Sequence, residues 1–307
     1  METMYLTHPA CRLHEMGSWH PESPQRLDAI SDQLLASGLM PYLDDRQAPQ
    51  ASRDDLLRVH TVQYLDSLQK HVPESGYYPI DPDTLMNPHT YEAALHAAGA
   101  GVAAVDAGMG GAARTAFCAV RPPGHHACRS QSMGFCFLNN VAIAAQHALD
   151  VHGLTRVAIV DFDVHHGNGT EDVFAGDERV LMCSFFQHPF FPNSGADHPA
   201  GNMLNVPVPA YTAGAAVREI VTDTWLPRLE AHRPELILVS AGFDAHREDD
   251  MGQMGLVEAD YAWITGQLVD VAERHCQGRI VSTLEGGYNL SALGRSVVAH
   301  IRALAKL

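Results

Sequence analysis

Five short apolar runs dominate the chain after residue 115: TAFCAV (115–120), RVAIVDF (156–162), RVLMCSF (179–185), ELILVS (235–240) and RIVSTL (279–284). Each is of strand length and apolar on consecutive residues, which suits a strand buried on both faces. Helical patterns over 139–152, 213–232 and 257–276 separate several of them. Buried runs alternating with helices imply a parallel sheet between two helical layers, the α/β class. Asn139 and Asn140 are both able to cap the 139–152 helix, and Gly153 stops it.

The N-terminal third reads as helical. Leu27, Ile30, Leu34 and Leu35 share one face of 24–38, which closes at Gly38. Residues 52–71 suggest two shorter helices with Ser52 as a cap, and 89–109 is an Ala-rich helix narrow enough to pack closely. No repeat, linker or low-complexity tract divides the 307 residues, so one domain over 1–307 is expected.

Four of the five runs end in reactive side chains. RPPGHHA follows the first, DVHHGNGT extends the second, AGFDAH closes the fourth and EGGYN the fifth. Open parallel sheets bind ligands at the carboxyl ends of their strands. A shared edge carrying histidines, aspartates and a tyrosine is therefore a candidate site, not a packing pattern.

Other classes fit poorly. A formal charge of −16 opposes non-specific nucleic-acid binding and is compatible with a cationic substrate. No apolar stretch reaches membrane-spanning length, and METMYLTHPACRLHEMG lacks the order of a secretory signal. Six cysteines without a CxxC pair or regular framework are expected to be reduced thiols of a cytoplasmic protein.

Alternate residues of an extended segment share a face, so Asp161, Asp163 and His165 are expected to project together. Asp163 and His165 are two ligands for one cation, and Asp244 in SAGFDAH is the natural third. Two carboxylates, one imidazole and an open position suit catalytic zinc; iron(II) competes on the same donors. A lone D-x-H also occurs in ordinary surface loops, and the second strand end ending in Asp244 is what weighs against that.

In RPPGHHA, tandem histidines suit acid–base work, although a single histidine after a strand is more often structural. Each needs an orienting acceptor: Asp161 is paired here with His125, and Asn168 with His126. In EGGYN the glycines free the backbone so that Tyr288 can reach a developing oxyanion, where a strand-end tyrosine otherwise merely packs. These groups together describe metal-assisted amide hydrolysis.

The motifs RPPGHHA, GFCFLNNVAIAA, VDFDVHHGNGT, SAGFDAH and EGGYN, with HPE-x-P-x-RL at 20–27, resemble the zinc-dependent histone deacetylase family, including bacterial deacetylase-like amidohydrolases and acetylpolyamine amidohydrolases. The resemblance implies the arginase/deacetylase fold, a three-layer α/β/α arrangement on a mostly parallel eight-stranded sheet. It implies Asp163, His165 and Asp244 as zinc ligands, His125 and His126 as the tandem histidines with the second as base and acid, and Tyr288 as the catalytic tyrosine. It also implies that Phe135 and Phe191 flank an acyl-lysine stem, that Gly134 lets the tunnel wall form, and that Arg26 lies near the acetate exit. Potassium is implied at backbone oxygens of Asp161, Asp163, His165 and Ser184. Asn168 replaces an aspartate of one major branch, as in class II members, leaving His126 less supported by negative charge.

Substrate choice is read from the rim. Animal polyamine deacetylases resemble this chain but carry a glutamate seven residues after the third ligand, where Met251 stands, and residues 11–20 are short for the acidic loop of bacterial polyamine enzymes. Asp83 is expected to contact a substrate backbone, or else to be a solvated loop residue. An N-acyl-lysine or similar acylated amine is the expected substrate, with an acetylpolyamine as alternative. An inactive acyl-lysine-binding copy would be expected to lose one of these residues, and a two-manganese ureohydrolase would need a D-x-D where AGFDAH supplies one carboxylate. The acyl group and oligomeric state are not encoded in any motif.

Overall fold

A computed structural model describes residues 3–307. Eight strands form one sheet in the order β2-β1-β5-β10-β9-β6-β7-β8. They are β1 (Thr3–Thr7), β2 (Leu43–Gln47), β5 (Thr115–Cys118), β6 (Val157–Asp161), β7 (Val180–Gln187), β8 (Met203–Val208), β9 (Leu236–Ala241) and β10 (Ile280–Leu284); β3 (Tyr78–Pro79) and β4 (Leu85–Met86) make a separate hairpin. Every pairing in the large sheet is parallel. All five apolar runs are strands, and β6, β7, β9 and β10 are buried along their whole length.

Two helical layers cover the sheet. Helices Thr90–Met109 and Asn140–Asp150 pack together on one side; Gln25–Ala36, Glu258–His275 and Leu290–Ala305 pack together on the other. This three-layer α/β/α arrangement is the arginase/deacetylase fold. Ser52 caps Arg53–Leu57 through a capping box with Asp55, and Asn139, not Asn140, caps its helix by accepting from the Ala142 amide.

The structure corrects the sequence at three places. The N-terminal third is not wholly helical: TMYLT and LDDRQ enter the sheet as β1 and β2. LDDRQ holds only one buried residue, as an edge strand does, so its apolar signal is absent. MLNVPV adds β8 at the opposite edge, half-buried. The expected 213–232 helix is Gly214–Ile220, a π turn at Val221–Trp225, then Leu226–His232 with Pro227 in its first turn. Proline has no amide hydrogen for the preceding turn, and the wider π spacing accommodates that.

Among the described residues no helix is long and apolar enough to cross a membrane, and all six cysteines are free.

Candidate active site

The four strands that end in reactive motifs, β5, β10, β9 and β6, are consecutive neighbours at the centre of the sheet. Their parallel direction puts all four carboxyl ends at one edge, which is why residues 125, 165, 244 and 288 meet. Strand β6 ends at Asp161, yet Asp161 and Asp163 both face His125, with carboxylate oxygens 2.9 Å from its Nδ1 and 3.8 Å from its Nε2. Asp163 and His165 also converge with Asp244.

One ligand atom from each of Asp163, His165 and Asp244 lies within 4.8 Å of the others, and all three residues are buried. His165 Nδ1 is 3.0 Å from Asp163 Oδ1 and 3.2 Å from Asp244 Oδ2. The remaining oxygens are fixed by main chain: Asp163 Oδ2 accepts from Gly286 N at 2.8 Å, and Asp244 Oδ1 from Val164 N at 2.9 Å. Asp244 Oδ2 is buried without a hydrogen-bond partner. Burial and the Asp163 charge push the Asp244 carboxyl up to about 7. Asp163, which burial alone would raise, is held below the ordinary range by the His125 and His165 imidazoles. Two buried carboxylates converging on one imidazole, with an orphaned oxygen between them, fit a divalent cation. At Gly286 a Cβ would stand 2.1 Å from Asp244 Oδ2, so the close approach of β10 to the triad requires glycine.

The tandem histidines differ. His125 Nδ1 lies 2.9 Å from Asp161 Oδ2. Burial works against its charge, but Asp161, Asp163 and Glu285 keep the imidazole protonated far above its ordinary range. His126 Nδ1 lies 2.8 Å from Asn168 Oδ1. Burial, with His125 and His165 as neighbours, holds its pKa well below normal, so it is neutral. Both pairings are those expected from the sequence. Because an amide oxygen only accepts, His126 carries its proton on Nδ1 and leaves the Nε2 lone pair free.

Above this floor is a cavity of about 240 Å³ lined in part by His126, His165, Gly134, Phe135, Phe191 and Tyr288. Phe191 meets the His126 ring edge-on at 5.2 Å, and Phe135 meets the Tyr288 ring edge-on at 6.0 Å. Asp83 and Met251 also line the cavity, with the Asp83 side chain exposed to solvent. Burial and hydrogen bonding to Asp81 raise the Asp83 carboxyl. Tyr288 keeps its proton: burial and the Asp244 and Asp163 charges outweigh the lowering by Arg26.

Arg26 sits behind the tyrosine. Its guanidinium is 4.9 Å over the Tyr288 ring, donates to Gly287 O at 2.6 Å and Glu285 O at 2.5 Å, and pairs with Glu22 at 3.0 Å. Ser184 is the register partner of Asp161 across β6 and β7 and is buried.

Several neighbours escaped sequence reading. Glu285 accepts from Gly124 N at 2.7 Å, His125 N at 3.1 Å and Ser240 Oγ at 3.0 Å, tying the tandem-histidine loop to β9 and β10; burial raises its carboxyl to about 7. Its signal was a charge directly after an apolar run. Phe190 stacks on His165 at 5.4 Å, and Asp250 lines the cavity. Asp249 binds the Tyr288 turn; nothing in its sequence context announces that.

Residues 20–304 match the histone deacetylase domain family. The chain is 40% identical to the histone deacetylase-like amidohydrolase of Pseudomonas aeruginosa over 277 residues, covering 88% of this chain and 73% of the relative. It is 38% identical to the polyamine deacetylase HDAC10 of Mus musculus over 304 residues, 92% of this chain and 44% of that protein. The crystal structure of the HDA15 HD domain superposes with a TM-score of 0.93 at 33% identity, covering all of this chain and 89% of that one. With the family matched across nearly its whole length, the chain belongs to the histone deacetylase family of hydrolytic deacetylases.

Proposed function

We propose that this chain is a zinc-dependent hydrolase that removes an acetyl or other acyl group from an N-acyl-lysine or a similar acylated amine. The observation that carries this reading is the convergence of Asp163, His165 and Asp244 directly beneath a cavity walled by Phe135 and Phe191, beside His126 and Tyr288. Zinc held by the triad would polarise the acyl carbonyl and lower the pKa of water from 15.7 towards about 7; iron(II) would serve on the same donors.

The chain's own residues supply the rest. Phe135 and Phe191 hold the alkyl stem of the substrate and exclude water. His126 Nε2 takes the proton from the attacking water and returns it to the departing nitrogen, while Asn168 holds its Nδ1–H and fixes the ring. His125, kept charged against Asp161, adds positive potential without accepting a proton. Tyr288 Oη donates to the developing oxyanion. Arg26 braces the turn beneath it and faces the route by which acetate would leave, Gly134 leaves room between His126 and Phe191, and Asp83 and Met251 meet the substrate at the rim. A potassium ion on main-chain oxygens of Asp161, Asp163, His165 and Ser184 belongs to the same reading.

A second substrate class, small acetylated polyamines, is favoured by the acidic rim, where Asp83 and Asp250 both line the cavity and no lysine or arginine does. Met251, apolar where a gate carboxylate would stand, favours acyl-lysine. A panel of acetyl-lysine peptides, longer acyl-lysines, acetylputrescine and acetylspermidine, assayed with zinc-replete protein, separates the two. Acyl-lysine is expected to turn over fastest. A hundredfold preference for polyamines, about 2.7 kcal/mol in the transition state, would reverse the choice, and turnover of none would refute both.

A further inference from the structure

A second cluster of metal-type ligands lies apart from the cavity. Asp106, His147 and His152 each present a ligand atom within 4.8 Å of the others. Asp106 is near the end of the Thr90–Met109 helix, His147 is in the last turn of Asn140–Asp150, and His152 lies just beyond that helix. The Asn140–Asp150 helix begins beside the tandem-histidine loop, where the Asn139 side chain donates to Ala127 O. It then runs back to the start of β6, so the cluster is at the opposite end of the sheet from the cavity.

Both imidazoles aim the same nitrogen at one oxygen: His147 Nε2 and His152 Nε2 each lie 2.7 Å from Asp106 Oδ1. The far side of His147 is the second observation. Its side chain is 8% exposed, and Nδ1 is buried without a hydrogen bond, 3.3 Å from Asp55 Oδ1. A neutral His147 that donated from Nε2 to Asp106 would turn its Nδ1 lone pair towards the Asp55 carboxylate, an unfavourable contact in a buried setting. With a cation on Nε2 the proton moves to Nδ1 and faces Asp55, the carboxylate–histidine–metal arrangement that orients metal-bound imidazoles. Arg58 pairs with Asp55 at 3.8 Å and with Asp150 at 3.4 Å, and forms no ion pair with Asp106.

We propose that Asp106, His147 and His152 form a second site for a borderline divalent cation of the zinc type, with Asp55 orienting His147 from behind. Two imidazoles and one carboxylate select zinc, cobalt or nickel over calcium or magnesium. Bound there, the ion clips the ends of two helices together without reaching the catalytic edge.

The test uses untagged, metal-free, full-length chain titrated with zinc, with bound metal counted after desalting and melting temperature recorded. The wild type is expected to bind two equivalents. Asp106→Asn and His152→Gln, which alter side chains with solvent access, are expected each to weaken one equivalent at least tenfold while amide hydrolysis persists. Asp163→Asn is expected to keep that equivalent and lose the other. A wild type that binds a single equivalent, or a second equivalent untouched by both Asp106→Asn and His152→Gln, overturns the site and leaves a proton-bridged histidine cluster in its place.

Discussion

Asp249 Oδ2 accepts the main-chain N–H of Tyr288 at 2.6 Å, and the next amide, Asn289 N, at 2.8 Å. One buried carboxylate oxygen thereby fixes the turn that carries the phenol, and the cost of burying it, seen in its raised pKa, is offset by two amide donors. A hydrogen bond to a charged acceptor contributes about 1.5–3 kcal/mol. Asp249→Ala is expected to lower kcat about ten- to a hundredfold with KM and bound metal nearly unchanged. Asp249→Asn, which keeps one acceptor oxygen, is expected to lose less. Steady-state kinetics with metal analysis decide it; a folded Asp249→Ala variant with wild-type kcat would remove the positioning role.

Tyr288 itself is tested by deleting one oxygen. Tyr288→Phe keeps the ring against Phe135 and beneath the Arg26 guanidinium, so packing and metal content should survive. Loss of one oxyanion donor costs about 2.7–4 kcal/mol of barrier, a hundred- to a thousandfold in rate. Near-normal turnover by this variant would assign oxyanion stabilisation elsewhere.

What the sequence displayed and what it hid follow from one physical distinction. Strands buried on both faces write themselves as continuous apolar runs, and β5, β6, β7, β9 and β10 were legible for that reason. Edge strands β2 and β8 are half solvated, and LDDRQ carries three charges in five residues, so no hydrophobic pattern marks it. The same distinction holds at the site. Asp163, His165, Asp244 and Tyr288 were readable because they follow buried strands directly. Asp249 acts through main-chain amides brought close only by the fold, and a residue that binds backbone leaves no partner side chain in the sequence to pair it with.

Gly134 offers a steric test of the cavity wall. Its φ is +57°, and a Cβ there would lie 2.5 Å from His126 Cδ2 and 3.1 Å from the Phe191 ring. Alanine would meet both backbone strain and a clash with the imidazole proposed as the base. Gly134→Ala is expected to bind metal normally and lose at least about tenfold in kcat, since a displacement near 1 Å can cost about a hundredfold. Metal analysis and kinetics on the same preparation measure it; activity within twofold of wild type would mean that the wall yields away from His126.

The most localised pH effect on stability should come from His300, which is not one of the proposed ligands. It is fully buried in the Leu290–Ala305 helix, with the rings of Phe117, Phe162 and Phe243 at 5.7–5.8 Å. Thr265 Oγ donates to Tyr261 O at 2.6 Å and so accepts from His300 Nδ1 at 2.6 Å, leaving Ser282 Oγ to donate to Nε2 at 2.8 Å. Both hydroxyls are satisfied by a neutral ring, and burial lowers its pKa to about 3. Above about pH 6.5 folded and unfolded chains are both neutral at this position, so stability is intact. As pH falls below that value the unfolded chain takes up a proton that the native chain refuses, and up to about 1.4 kcal/mol is lost per unit until about pH 3. Urea unfolding of metal-free chain at pH 7.5 and pH 5 should therefore show His300→Gln losing about 2 kcal/mol less than wild type over that interval. Equal losses in the two proteins would place the acid sensitivity in other groups.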